Sequence, residues 1–335
     1  MKNKIKRKTL LVDGTALFKT AYYGAKHIYS NYVKIGGLYY SVNMLRNLIN
    51  KNQVNRVVVF WDGENTLAPR KQFYPWYKDN RSKNWSIGEE ENYTFQRIRV
   101  QEYFEELFIR QHETFGCEGD DAIAYYILNK KKHESILIVS NDQDMIQLIA
   151  DDVYLYLLNK KIIINPNNFK VYFNYHHKNS KLMKILCGDT SDNIHGIWGL
   201  SSKKNGEKNL FELFPDLRKR EMTLGEIFNI CKENLDNKIC KNVLSGKSSR
   251  GVFGPEFYEV NKKIIDLSKP LISEESKENV DFLLNEKINP DGRDVKNLLN
   301  MMIEDGVINL IPGRIENFEG FVLPFFKIIR SEKKS

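Results

Sequence analysis

Three carboxylates crowd into four positions of "FGCEGDDAIAYYIL", residues 115–128, where Glu118, Asp120 and Asp121 stand directly before an apolar run. Acids at a helix start accept bonds from free backbone N–H groups and gain from the macrodipole, each by about 0.3–1 kcal/mol, so capping alone explains such a cluster. Six more acids change the weighing: Asp13, Asp62, Asp142 and Asp144 close apolar runs, and Asp189 and Asp192 stand three apart in "GDTSDN". Nine converging carboxylates cannot all stay ionised uncompensated, because like charges raise one another's pKa or demand a cation. Oxygen-only donors select hard cations, Mg²⁺ or Mn²⁺, over zinc. Two such ions can activate water and stabilise the leaving oxygen in phosphodiester hydrolysis. A helix cap needs no such company, which favours the metal reading.

The acids depend on the elements that carry them. "TLLVD" (9–13), "NRVVVFWD" (55–62) and "SILIVSNDQDMIQLIA" (135–150) are strand-like runs that each meet acid at the carboxyl end. Helical patterns lie between them, in "GTALFKTAYYGAKHI", "SVNMLRNLINKN" (41–52) and "YTFQRIRVQEYFEELFIRQH" (93–112). This alternation predicts a mostly parallel sheet covered on both faces, which binds ligands at the carboxyl ends of its strands. Neighbouring strands are about 4.8 Å apart, so acids at their ends fall within several ångströms of one another. A helix opening at residue 119 brings Glu118, Asp120 and Asp121 to the same edge. Strand signals fade after about residue 165, which predicts an α/β domain over 1–178 and a helical domain with a C-terminal tail over 179–335. If a helix begins at Asp189, that residue and Asp192 share a face.

The chain has 335 residues, 41% of them hydrophobic, and a formal net charge of +8. It holds no apolar run of about 18 residues, and the run behind its basic start is cut at Asp13, so neither a membrane span nor a signal peptide is expected. Cys117, Cys187, Cys231 and Cys240 are scattered, without zinc-ligand spacing, and read as reduced in a cytoplasmic protein. Setting the nine acids aside leaves 34 acidic residues against 51 basic ones, a balance suited to a polyphosphate backbone. In "APRKQFYPWYKDNRSKNW" (68–85), Arg70, Lys71, Lys78, Arg81 and Lys83 alternate with Phe73, Tyr74, Trp76, Tyr77 and Trp85. Such segments track phosphates and stack on bases, at about 1–3 kcal/mol per base, but a charged loop with its aromatics tucked into the core explains the pattern equally well. Tyr22 and Tyr23 read as core packing, and His176 and His177 as surface residues.

Taken in order, "LLVDGTALF", "FWDG", "YPWYKDNR", "CEGDDAIA", "SNDQDMIQL" and "GDTSDNIHGIWGL" resemble the 5′ nuclease superfamily of flap endonucleases and 5′–3′ exonucleases, above all the stand-alone phage type that includes phage RNase H. The resemblance covers roughly residues 9–215. It implies a PIN-like α/β domain with a helical arch at about 65–95, then a helical domain with a helix-turn-helix-like hairpin that grips duplex DNA. It implies two Mg²⁺ or Mn²⁺ ions: Asp13, Asp62, Glu118, Asp120 and Asp121 at the tighter position, Asp142 and Asp144 shared or adjacent, and Asp189 and Asp192 at the second. Catalytic roles fall on Lys78, Arg81, Asp120 and Asp142, and nucleic-acid contacts on Arg70, Lys71, Tyr77, Lys78, Arg81, Lys83, Lys203 and Lys204. "GLSSKKNG" departs from the family's G-x-G-x-K hairpin, with Ser201 in place of a glycine that helps hold K⁺ there.

The implied activity is cleavage near 5′ ends and flaps of DNA or RNA–DNA junctions, leaving 5′-phosphate and 3′-hydroxyl ends, by a monomer that removes primers or flaps in replication. A single-strand ribonuclease of the PIN group and a non-catalytic junction-binding protein are the alternatives. A replication role points to a sliding clamp or a single-strand-binding protein as partner. Glu319, Val322, Phe325 and Phe326 have the spacing of a clamp-binding box, yet Glu stands where Gln is usual and Pro324 interrupts, so docking of the tail on the protein is the preferred reading.

Overall fold

A computed structural model describes residues 7–81, 85–201, 204–248, 254–288 and 293–332. Strand β1 (Lys8–Asp13) runs into α1 (Gly14–Gly24), and a small hairpin, β2 (Tyr29–Ser30) and β3 (Val33–Lys34), leads to α2 (Gly36–Asn52) and β4 (Arg56–Asp62). Then come α3 (Ala68–Phe73), α4 (Ile87–Glu106), β5 (Arg110–Thr114), α5 (Gly119–Leu128), β6 (Ser135–Ser140), β7 (Val153–Leu157) and β8 (Ile162–Ile164). The six-stranded sheet has the order β5-β4-β1-β6-β7-β8, parallel except for β8. The chain builds outward through β4 and β5, then crosses back to place β6 on the far side of β1. That reversal opens a crevice at the carboxyl ends of β1 and β6, where open α/β sheets bind ligands.

Alternate residues of the central strands feed opposite faces. Leu10, Val12, Val57, Val59, Trp61 and Val139 join a core with α1, α2 and α4, while Leu11, Val58, Phe60, Ile136 and Ile138 join another with α5. Both faces are covered, as the run of β-branched residues without polar alternation demands.

The expected helix over 93–112 divides. It stops at Glu106, Phe108 turns the chain at φ 60°, and Arg110–Thr114 becomes the edge strand β5. Its polar sequence RQHET carries no strand alternation, because an edge strand next to solvent need not be apolar.

Beyond the sheet, α6 (Phe169–Tyr172) and α7 (Ser180–Cys187) precede a two-stranded hairpin, β9 (Gly188–Asp189) and β10 (Ile194–His195). Helices α8 (Lys204–Leu213), α9 (Leu224–Glu233), α10 (Lys238–Ser245) and α11 (Pro255–Ile265) share a separate core with Tyr74 and Tyr77. The last three helices, α12 (Glu274–Asn285), α13 (Val295–Glu304) and α14 (Phe318–Glu332), do not stay with them. Helix α12 packs on α5 and β5, α13 on α4, and α14 on α2. A helical domain running from 179 to 335 is therefore corrected to a helical body that ends near 265, followed by a return to the sheet. Val322 and Phe325, two positions of the clamp-like box, are each 1% exposed in the sheet's own core, so the tail docks intramolecularly.

Candidate metal centre

Asp13 ends β1 and caps α1, its carboxylate accepting from the Ala16 N–H at 2.8 Å and the Ser140 hydroxyl at 2.7 Å. Burial, reinforced by the neighbouring Asp62, pushes its pKa up to about 7. Asp62 ends β4 and accepts from the Gly119 N–H at 2.8 Å, which ties the second strand to the start of α5. Ser140, at the end of β6, accepts from the Asp142 N–H at 2.9 Å, so one hydroxyl positions acids from two strands.

At the α5 N-terminus the three opening carboxylates have different fates. Asp121 is fully buried: its oxygens accept from Arg70 at 2.5 and 3.1 Å, from the Leu271 N–H at 2.9 Å and from the Glu118 N–H at 3.3 Å. Expected as a cation donor, it is instead saturated as an anchor for Arg70. Glu118 lies 3.0 Å from the same guanidinium and also pairs with the Lys78 ammonium. Burial disfavours its charge, but Arg70 and Lys78 outweigh burial and hold its pKa below the usual range. Asp120 goes the other way: burial, with Asp121 and Glu118 adding to it against Arg70, pushes its pKa well above the usual range. Its Oδ1 is buried without a hydrogen-bond partner among the described residues.

The second half of the centre rests on shorter elements. Asp142 caps a 3₁₀ turn over Gln143–Leu148 by accepting from the Asp144 N–H at 2.7 Å. Asp189 and Asp192 belong to the β9–β10 hairpin and its turn rather than to a helix face, because Asp189 accepts from the N–H and hydroxyl of Ser191 at 2.8 and 2.6 Å and so folds the chain back. One oxygen each of Asp144, Asp189 and Asp192 lies within 4.8 Å of the others. Lys184 of α7 pairs with Asp144, and with Asp189 at 2.7 Å. Burial tends to raise the pKa of Asp189, yet Lys184 and Ser191 bring it down to about 2.

Tyr77 and Lys78 join the halves. The buried Tyr77 hydroxyl donates to Glu118 Oε2 at 2.7 Å, with Asp192 Oδ2 at 3.1 Å, and burial holds the phenol protonated. Lys78 sits at φ 57°, a left-handed conformation costly for a side-chain-bearing residue, held by its N–H to the Asp192 carbonyl at 3.0 Å.

Of the residues expected to touch nucleic acid, Arg70 and Tyr77 are 3% and 2% exposed, so both are corrected: they have no face for a base or phosphate and serve the acids. Lys78 is buried as well, whereas Arg81 is half-exposed and reaches Asp192 at 2.5 Å. Lys71 is on the surface, paired with Asp79 at 2.6 Å. Lys83 and Lys203 lie outside the described residues, as does the side chain of Lys204. Sequence reasoning passed over Lys184 and Ser140. The only sequence signal for Lys184 is a basic residue five positions before Asp189.

A buried carboxylate oxygen without a partner, in a group offering only oxygen donors, suits a hard cation. No helix of the described residues is long and apolar enough to cross a membrane.

Residues 8–174 match the family model described as 5′–3′ exonuclease, N-terminal resolvase-like domain. A 5′–3′ exonuclease of Mycoplasmopsis pulmonis is 30% identical over 273 residues, covering 79% of this chain and 85% of that protein. One from Buchnera aphidicola subsp. Schizaphis graminum is 29% identical over 199 residues, 57% of this chain and 66% of that protein. Among solved structures, the bacteriophage T5 D15 flap endonuclease, in a complex with DNA and metal ions, is similar with a TM-score of 0.60 at 17% identity, covering 97% of this chain and all of that one. Human GEN1 bound to Holliday junction DNA gives 0.54 at 16% identity, covering 95% of this chain and 72% of that one.

Proposed function

The chain belongs to the 5′–3′ exonuclease family, and from that premise we propose that it hydrolyses phosphodiesters near the 5′ ends and flaps of DNA and of RNA–DNA junctions, with two Mg²⁺ or Mn²⁺ ions. The observation that carries this reading is the group formed by Asp144, Asp189 and Asp192, one oxygen of each within 4.8 Å of the others, joined by the buried Asp120 Oδ1 that has no hydrogen-bond partner among the described residues. Asp13, Asp62, Glu118 and Asp120 would hold one ion. Asp144, Asp189 and Asp192 would hold the other, with Asp142 between the two. When bound, the ions supply an activated water and charge stabilisation at the leaving oxygen.

The protein's own cations do the rest. Arg81 at the rim, with half its side chain in solvent, is placed to meet a phosphate, and Lys78 behind it offsets negative charge that grows as the bond breaks. Trp76, 48% exposed beside them, offers a surface for an unpaired base. A monomer working on replication intermediates in the cytoplasm fits four free cysteines and the basic surface.

End-labelled 5′-flap, nicked and RNA-primed duplexes, incubated with and without Mg²⁺, test the proposal. Cleavage of all three only with the ion is expected, and Asp120→Asn should lower it by about 10³-fold or more while binding to the flap persists. Cleavage restricted to single-stranded RNA, or unchanged turnover in Asp120→Asn, would overturn it.

A further inference from the structure

We infer that Lys184 is an internal counter-ion of the second half of the centre: it holds Asp144 and Asp189 together before a divalent ion arrives and competes with that ion for them. The inference rests on the reading of Asp144, Asp189 and Asp192 as a cation site.

Three observations support it. The ammonium donates to Asp189 at 2.7 Å and lies against Asp144, two of the three carboxylates that meet within 4.8 Å, the place a cation would take. Two of the carboxylates are held by other groups, Asp189 by Ser191 and Asp192 by Arg81, and the Asp144 main chain is held by its N–H on Asp142. Lys184 has a flexible stem, and a cleft of about 750 Å³ lined by Lys184, Arg81, Asp142, Tyr172 and Phe173 adjoins it. An ammonium and a divalent cation cannot share these oxygens without strong repulsion, so ion binding must move the lysine. The cleft gives it somewhere to go. At the first half Arg70 cannot leave in this way, because it is locked by a two-pronged bond to Asp121 and by its Nε–H to the Ile264 carbonyl, and Lys78, which pairs with Glu118, is buried.

Lys184 is thus a positioning residue whose effect appears in ion affinity before any reaction occurs. The test uses the full chain stripped with EDTA, titrated with Mn²⁺ by calorimetry and by water-proton relaxation. K184M keeps the stem and removes the charge; it should bind the weaker ion about tenfold more tightly, with the tighter ion unchanged. K184R keeps the charge and should stay within about twofold of the wild type. Without ions K184M should melt below the wild type, and Mn²⁺ should raise its Tm by more than it raises the wild type's. Should K184M not fold, K184Q is measured in its place. Equal or weaker affinity for the second ion in the neutral variant overturns the inference while leaving the site standing. A single bound ion in every variant overturns both the inference and the site reading beneath it.

Discussion

In the half of the centre carried by β1, β4 and the start of α5, the helix acids are neutralised by Arg70, buried and bonded to both Asp121 and the Ile264 carbonyl, and by the buried Lys78, whereas the half on the β9–β10 hairpin relies on Lys184 and the half-exposed Arg81. Acids of the first half sit at the ends of paired parallel strands and a ten-residue helix. Those of the second sit at a 3₁₀ turn, on a strand of two residues and in the tight turn that follows it. Burial makes the difference chemical. A guanidinium enclosed with its carboxylates is a permanent part of the structure, because leaving either partner alone in the interior is costly. A lysine beside an open cleft is replaceable. One half is built for constancy and the other for exchange.

The comparison can be broken most readily at Arg70. Arg70→Met leaves Asp121 and Glu118 buried without their main cation and should cost about 3–5 kcal/mol, read from the urea midpoint; a loss under about 1 kcal/mol would erase the distinction. Next in size, Asp189→Asn should raise the Mn²⁺ concentration for half-maximal cleavage by about tenfold or more, with turnover recovered at high Mn²⁺. Asp120→Asn should show no such recovery, and parallel behaviour of the two variants would remove the asymmetry. Arg81→Met, at the exposed end of the second half, should lower stability by less than about 1 kcal/mol in the same urea assay. The smallest effect is expected for Gly119→Ala. A Cβ there would sit 3.2 Å from Asp62 Oδ1, so that carboxylate must yield slightly, while the helix gains up to about 1 kcal/mol in propensity. A net stability change within about 1 kcal/mol by thermal melting is the outcome that fits.

The same asymmetry decided what could be read from the sequence. Asp13 and Asp62 end unbroken β-branched runs, so their place at the carboxyl edge follows from strand periodicity, and the α5 acids follow from the helix signal after them. Asp189 and Asp192 were legible as a pair but not as a hairpin, because a three-residue spacing fits a helix and a tight turn alike. Arg70 and Tyr77 misled for another reason. Basic and aromatic residues in alternation look the same whether they face a nucleic acid or fill a core, and only the closing of the helical body over them decides. Strand β5 was hidden by its polarity, and the return of α12–α14 to the sheet leaves no local mark, since an amphipathic helix does not announce which surface it covers.

That return has a consequence for severability. The carbonyl of Ile264 and the N–H of Leu271 complete the bonding of Arg70 and Asp121, 194 and 150 positions away along the chain.

 A fragment ending near residue 178 would contain seven of the nine acids yet leave their central guanidinium without the acceptor of its Nε–H and the sheet's α2 face stripped of Phe325 and Val322. The nuclease part is therefore not a module to be cut out and grafted elsewhere. It behaves as a clasp whose two ends close only when the whole polypeptide is present, and a split version should regain its shape only when both pieces are supplied together.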